Sequence, residues 1–129
     1  MSDLTPLAEL KNLEELRLYQ TEVSDLSPLA GMENLEGLWL NQTEVSDLSP
    51  LAGLKKLGKL RWLGLDKTKV SDLSPLAGLK DLETLVVSET KVHDLTPLAG
   101  MSLRDLNLNG TAVSDLTPLA GMSLGELNL

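Results

Sequence analysis

The chain has 129 residues, the length of one domain, with 42% hydrophobic residues and no cysteine, a composition that excludes disulfides, thiolate metal sites and general disorder. Its net charge of -8, from 19 acidic and 11 basic residues, leaves no Lys/Arg surplus to neutralise phosphates, so neither nucleic acid nor an anionic membrane surface is an expected partner. No apolar run approaches the roughly 18 residues of a membrane span. The opening stretch Met1-Ser-Asp-Leu-Thr-Pro-Leu7 has neither a basic nor a continuous apolar segment, which makes a cytoplasmic protein the expectation; a segment trimmed from a secreted parent would read the same.

The chain is periodic. Its six prolines, Pro6, Pro28, Pro50, Pro75, Pro97 and Pro118, are spaced by 22, 22, 25, 22 and 21 residues, each inside the phrase (S/H)-D-L-(S/T)-P-L-A. Counting from that phrase divides residues 1–129, a single domain, into units 2–23, 24–45, 46–70, 71–92, 93–113 and 114–129. Each unit opens on a segment such as Asp25-Leu-Ser-Pro-Leu-Ala-Gly31. Ser27, or Thr at the matching position, is placed to cap a turn, proline suits its start, and Gly31 suits a left-handed exit. There is room for only about one turn, which favours 3₁₀ geometry. The unit then continues as Leu38-Trp-Leu-Asn-Gln-Thr-Glu-Val45, alternating like a strand with one buried face. Leu38 and Leu40 point inward, Trp39 and Asn41 outward. Strands joined by crossovers of one kind form a parallel sheet wound right-handed, and repetition makes a solenoid.

Units three, five and six break the period. Unit three carries an extra LxxL step through Leu54, Leu57, Leu60, Leu63 and Leu65. Anchoring it on Thr68 buries Leu63 and Leu65, turns Trp62 outward and adds three residues to the turn side; anchoring from the left instead would bury Trp62 and leave Leu65 where Thr belongs. Units five and six lose one residue before Leu103 and Leu124, which predicts tighter turns there. At the last unit, Leu124, Leu127 and Leu129 are expected to face solvent beside an unpaired strand edge, a place for a second copy to dock by a two-fold contact.

The six in-phase copies of LxxLxLxxTxV, carried by Leu35, Leu38, Leu40, Thr43 and Val45 and by Leu82, Leu85, Val87, Thr90 and Val92, resemble the leucine-rich repeat family, and within it the short repeats of bacterial internalin-like proteins. The resemblance covers essentially the whole chain. It implies an α/β right-handed solenoid with a parallel β-sheet on the concave face and short 3₁₀ or helical turns on the convex face. One departure is regular: Thr21, Thr43, Thr68, Thr90 and Thr111 stand where the family usually has Asn. In the family that Asn forms a ladder of bonds to neighbouring backbones, and a Thr hydroxyl could bridge with fewer bonds.

The outward strand positions fall into three columns: Glu15, Gly37, Trp62, Thr84, Asp105, Glu126; then Arg17, Trp39, Gly64, Val86, Asn107, Asn128; then Tyr19, Asn41, Asp66, Ser88, Asn109. These vary freely while inward positions hardly change. The columns hold all three aromatic residues. Trp62 falls beside Gly37 and Trp39 beside Gly64, which suits strands about 4.8 Å apart, too close for two extended indoles side by side. Trp39, Trp62, Tyr19, Arg17, Asn41, Asp66, Gly37 and Gly64 are therefore the candidate ligand-binding residues, because Trp, Tyr and Arg dominate binding hot spots. The alternative role for each indole is to cover its glycine neighbour.

No catalytic set is evident: His93 stands alone and the glycines fit turns. The column of Asp3, Asp25, Asp47, Asp72, Asp94 and Asp115 lacks companion metal ligands, and such residues bond nearby backbone amides instead. No cofactor is expected. The expected function is a non-enzymatic scaffold that binds a protein or peptide on its sheet face. The alternatives are a self-assembling module that dimerises through Leu124, Leu127 and Leu129, and carbohydrate binding on the aromatic face.

Overall fold

A computed structural model describes residues 1–56 and 59–129. Six three-residue strands, β1 (Glu15–Arg17), β2 (Gly37–Trp39), β3 (Trp62–Gly64), β4 (Thr84–Val86), β5 (Asp105–Asn107) and β6 (Glu126–Asn128), form one parallel sheet in chain order. Each strand is preceded by a 3₁₀ turn. Five of these are three residues long, at Thr5–Leu7, Ser27–Leu29, Ser74–Leu76, Thr96–Leu98 and Thr117–Leu119. The single exception lies in unit three, where the turn runs over Ser49–Lys56. The extra residues of that unit therefore lengthen the turn side and leave the sheet in register, as anchoring on Thr68 requires. Leu57, a member of the extra LxxL step, lies outside the described residues.

The core is one stack of aliphatic side chains. In unit two Leu26, Leu29, Leu35, Leu38, Leu40 and Val45 are all buried, and unit three repeats the set with Leu48, Leu51, Leu60, Leu63, Leu65 and Val70. Alternation along each strand sends the middle leucine into the stack and both neighbours onto the open face. Burying one such leucine is worth about 2 kcal/mol. Five near-identical interfaces between coils thus hold a chain in which the strands themselves are only three residues long. At the last coil Leu124 is half-buried, while Leu127 and Leu129 are 38% and 69% exposed.

Four local details depart from the sequence reading. First, the turns are not capped by Ser27 or its counterparts, because the residue preceding each turn is a leucine with no side-chain cap bond. The aspartate two residues before the turn's first residue accepts that residue's backbone N–H instead, at 2.8 or 2.9 Å in every unit. Serine loses the role because its hydroxyl donates to the same carboxylate, at 2.5 Å from Ser27 to Asp25.

Second, Gly31 is not in the left-handed region; the left-handed glycines after turns are Gly78, Gly100 and Gly121. In those three units the preceding alanine is extended, with ψ of 126°, 132° and 131°. In units one and two Ala8 and Ala30 stay helical, with ψ of -27° and -25°. A helical alanine continues into another turn and asks nothing special of the next residue. An extended one needs φ > 0 after it, where glycine has no Cβ to clash.

Third, the residue lost from units five and six does not tighten the 3₁₀ turn, which keeps its three residues. What disappears is the second turn, formed by Lys80-Asp81 in unit four; Met101-Ser102-Leu103 and Met122-Ser123-Leu124 run straight into their strands.

Fourth, the threonines do not bridge coils. Thr43, Thr68, Thr90 and Thr111 each donate to the carbonyl three residues earlier in the same coil, Leu40, Leu65, Val87 and Leu108, at 2.6 or 2.7 Å. A hydroxyl on Cβ is too short to span to the next coil, so it closes its own bend. The bend needs one left-handed residue, supplied by Gln20, Gln42, Lys67 and Glu89 at φ of 53° to 60° and by Gly110 at 71°.

Candidate functional site: the aromatic half of the sheet face

The strand register pairs Gly37 with Trp62 and Trp39 with Gly64 across β2 and β3. The reciprocal arrangement expected from the columns is present, and Leu63 and Leu65, fully buried, fix Trp62 on the open face. Both indoles are half-buried and both glycines are buried. Their environments differ in detail. A Cβ at Gly64 would stand 2.5 Å from Trp39 Cε3 and 2.6 Å from Asn41 Oδ1, inside van der Waals contact. A Cβ at Gly37 would stand 3.3 Å from Glu15 Cγ, 3.5 Å from Trp62 Cε3 and 3.6 Å from Trp39 Nε1. A Cβ at Gly37 would thus meet both indoles at ordinary contact and be tight only against the flexible Glu15 side chain, whereas Trp39 is pressed onto Gly64. Covering a glycine is a role that Trp39 performs.

The polar margin completes the patch. Arg17, paired with Trp39 across β1 and β2, is tied to Glu15 at 2.7 Å. Tyr19 is 48% exposed. Arg61, just outside β3, lies over the Trp62 ring, 5.2 Å from its centroid, a cation–π distance. It also donates to Glu83 at 3.1 Å, which raises the guanidinium's pKa further above its ordinary value. Asn41 and Asp66 are next to each other in the third column, where the Gln42 amide bonds to the Asp66 carbonyl. Asn41 Oδ1 and Asp66 Oδ1 are both buried, and no donor among the described residues reaches either. Leaving a buried acceptor unpaired costs about 1–3 kcal/mol, so this corner holds two uncompensated groups beside an aromatic ring.

Towards the other end the face changes. Thr84, Val86, Asp105, Asn107, Glu126 and Asn128 line a shallow depression of about 260 Å³, with small side chains on β4 and acidic ones on β5 and β6. A flank that the column reading missed runs beside the strand starts. Glu36, Arg61, Glu83 and Arg104 are linked in turn by backbone bonds, each residue's N–H reaching the carbonyl of the one before. They line, with Lys59, Lys80, Asp81 and Ser102, an open groove of about 580 Å³. The signal was present in the sequence as alternating charge at the position just before β2, β3, β4 and β5.

The aspartate column is occupied with turn chemistry. The Ser27 hydroxyl and then its amide hold the Asp25 carboxyl below its usual range, and the same two bonds do so for Asp72, Asp94 and Asp115. Among the described residues no group of three or more His, Asp or Glu is arranged to hold a metal ion. Among the described residues no helix is long and apolar enough to cross a membrane. Two columns beyond the strands carry ion pairs: Lys69 with Glu44, and Lys67 with Glu89 at 3.8 Å.

Residues 11–53 match the family described as Leucine Rich repeats (2 copies), and the same coil continues through all six units. The chain is a leucine-rich-repeat protein. Its repeats are of the internalin type. It is similar to internalin C2 of Listeria monocytogenes, with 33% identity and a TM-score of 0.88, the match covering all of this chain and 57% of that one. It is similar to internalin F of the same organism, with 28% identity and a TM-score of 0.90, over all of this chain and 38% of that one. The chain therefore spans little more than half the length of one internalin and well under half of the other. A TLR13–ssRNA13 complex shares the fold at 22% identity and a TM-score of 0.76, over all of this chain and 20% of that one. No curated protein sequence matches significantly. Leucine-rich-repeat solenoids of this kind are typically protein-interaction scaffolds and generally not enzymes.

Proposed function

We propose that this leucine-rich-repeat protein binds a protein or peptide on its sheet face, centred on Trp39 and Trp62. The observation that carries the reading is the clustering of every aromatic residue of the chain in three adjacent coils, on or just beyond strands β1 to β3 and bordered by Arg17, Asn41 and Asp66, on a scaffold whose inward positions are nearly invariant from coil to coil. Trp39 serves both roles considered for it, shielding Gly64 and presenting its outer ring face to a partner. Gly37 and Gly64 contribute by keeping the platform flat.

The test is affinity capture from a source lysate with wild type and with a Trp39→Ala/Trp62→Ala variant, followed by titration of the captured partner. Truncating a true hot spot costs about 2 kcal/mol or more, roughly a 30-fold loss of affinity. A Trp39→Ala affinity within error of wild type rejects the assignment. Indole emission titrated with glycans in parallel tests the carbohydrate alternative. The exposure of Leu127 and Leu129 supports a second reading, self-association through the edge formed by Leu124, Leu127 and Leu129. Light scattering of wild type and Leu127→Glu decides it: a monomeric mass for both at high concentration removes it.

A further inference from the structure

We propose that the corner formed by Trp39, Asn41 and Asp66 receives a guanidinium group, the side chain of an arginine on the protein or peptide partner; this rests on the binding face proposed above and names the chemistry it reads. Two observations point there independently. The first is the pair of buried, unpaired oxygens, Asn41 Oδ1 and Asp66 Oδ1, at matching positions just beyond the paired strands β2 and β3, where the Gln42 amide bonds to the Asp66 carbonyl. A guanidinium brings several N–H donors in a fixed, near-planar fork able to reach two acceptors at once, whereas an ammonium meets them only as a point charge. The second is the ring that closes the corner. Trp39 Cε3 and Asn41 Oδ1 both crowd the face of Gly64, so a group hydrogen-bonded to that oxygen lies against the indole, where a guanidinium stacks favourably.

Gly64 offers no side chain to lock the indole down, so the ring can lift from the backbone, expose the oxygens and settle on the incoming group. Charge agrees with this. The chain carries -8, and two neighbouring cations are already engaged, Arg17 by Glu15 at 2.7 Å and Lys67 by Glu89 at 3.8 Å. Arg61 serves its own indole, Trp62, so the aromatic pair has one ring with a resident guanidinium and one without.

The experiment uses the full chain carrying Trp62→Phe, so that indole emission reports Trp39 alone. The probes are acetyl-Gly-Arg-Gly-amide, its citrulline analogue, which keeps the shape and loses the charge, and its lysine analogue. The expected result is saturable binding of the arginine peptide at millimolar concentration, with citrulline at least tenfold weaker and lysine several-fold weaker. Asp66→Asn weakens the arginine peptide at least fivefold. Where that variant is too unstable to titrate, Asn41→Ala reads the same corner and must lose at least threefold. Equal response to arginine and citrulline, equal response to lysine, or full arginine binding by Asp66→Asn each overturns the proposal. Loss of partner capture in the double tryptophan variant combined with indifference to arginine leaves the binding face standing and removes only this assignment; failure of both removes the face.

Discussion

Gly37 and Gly64 look alike in sequence, each a glycine opposite a tryptophan, yet the structure predicts opposite outcomes for the same substitution. In Gly64→Ala the new Cβ would stand 2.5 Å from Trp39 Cε3 and 2.6 Å from Asn41 Oδ1. Both obstacles are side chains, so the backbone holds and the indole is pushed off. Overpacking of this kind costs about 1–3 kcal/mol, and replacing a strand glycine by alanine returns about 0.5–1 kcal/mol. The net is a destabilisation of about 1–2 kcal/mol, or roughly 4–8 °C in Tm for a chain of this length. In Gly37→Ala the closest approach is 3.3 Å, to the flexible Glu15 side chain, so the conformational gain dominates and stability is unchanged or up to about 1 kcal/mol higher. Thermal unfolding followed by circular dichroism and by indole emission measures both. Gly64→Ala should also shift emission to the red as Trp39 gains solvent. A Trp39→Ala/Gly64→Ala cycle should show coupling of about 1 kcal/mol, since removing the ring removes most of the clash. Equal Tm changes for the two glycine variants, or an absence of coupling, would refute the account of how the indole is seated.

Two further outcomes follow from the coil's internal bonds. Thr43→Val keeps the shape of the buried side chain and deletes its 2.7 Å bond to the Leu40 carbonyl; a loss of about 1–2 kcal/mol is expected in urea denaturation, and a variant as stable as wild type would show that the bend closes without it. The aspartate column makes stability depend on acid. Because the turn hydroxyls and amides depress the folded-state pKa of Asp25 and Asp72 below the ordinary 3.8, their contribution is complete above about pH 4 and is lost as pH falls through the depressed values. The urea midpoint of wild type should fall over that acidic window more steeply than that of Asp25→Asn/Asp72→Asn, and parallel pH profiles would contradict it.

What was legible in the sequence is what repetition enforces. Leu38, Leu63 and Leu85 recur at one position because a side chain on a parallel strand faces the same side in every coil, so the columns were legible, while the outward aim of Trp62 depended on which end of unit three is anchored and is decided by the pairing of Trp62 with Gly37. The 3₁₀ turns were legible for the same reason, since proline and a short span exclude a longer helix. What escaped was chosen between near-equivalent local solutions. The aspartate column was legible as a partner of backbone amides, but Ser27 bears an oxygen equally able to reach the turn, and only geometry decides that Asp25 accepts the amide while the hydroxyl donates to the same carboxylate. Gln42 and Lys67 carry no mark of the left-handed conformation they adopt, because the coil's closure imposes it on whichever residue occupies the bend. The deletion in unit five could be absorbed at either of two turns, and the 3₁₀ turn survives because its residues Leu95 and Leu98 are buried in the stack while Lys80-Asp81, its dispensable counterpart in unit four, is exposed.

The candidate site divides along the same line. That Trp39 faces Gly64 is a matter of register, and register repeats. How closely the ring approaches is a matter of rotamer and of neighbours that occur once: Asn41 beside it, Asp66 beyond it, and no side chain beneath it. Repetition therefore explains the scaffold, and recognition has to reside in the positions where repetition fails. The two unpaired oxygens lie in such positions, at the junction of the second coil with the third, the only coil with a lengthened turn. Because the extra residues leave β3 in register, that irregularity is confined to the far side of the solenoid. The aromatic face is thus built on regular backbone even where the sequence is least regular, a condition for holding Asn41 and Asp66 in fixed relation to each other while the Trp39 ring moves above them.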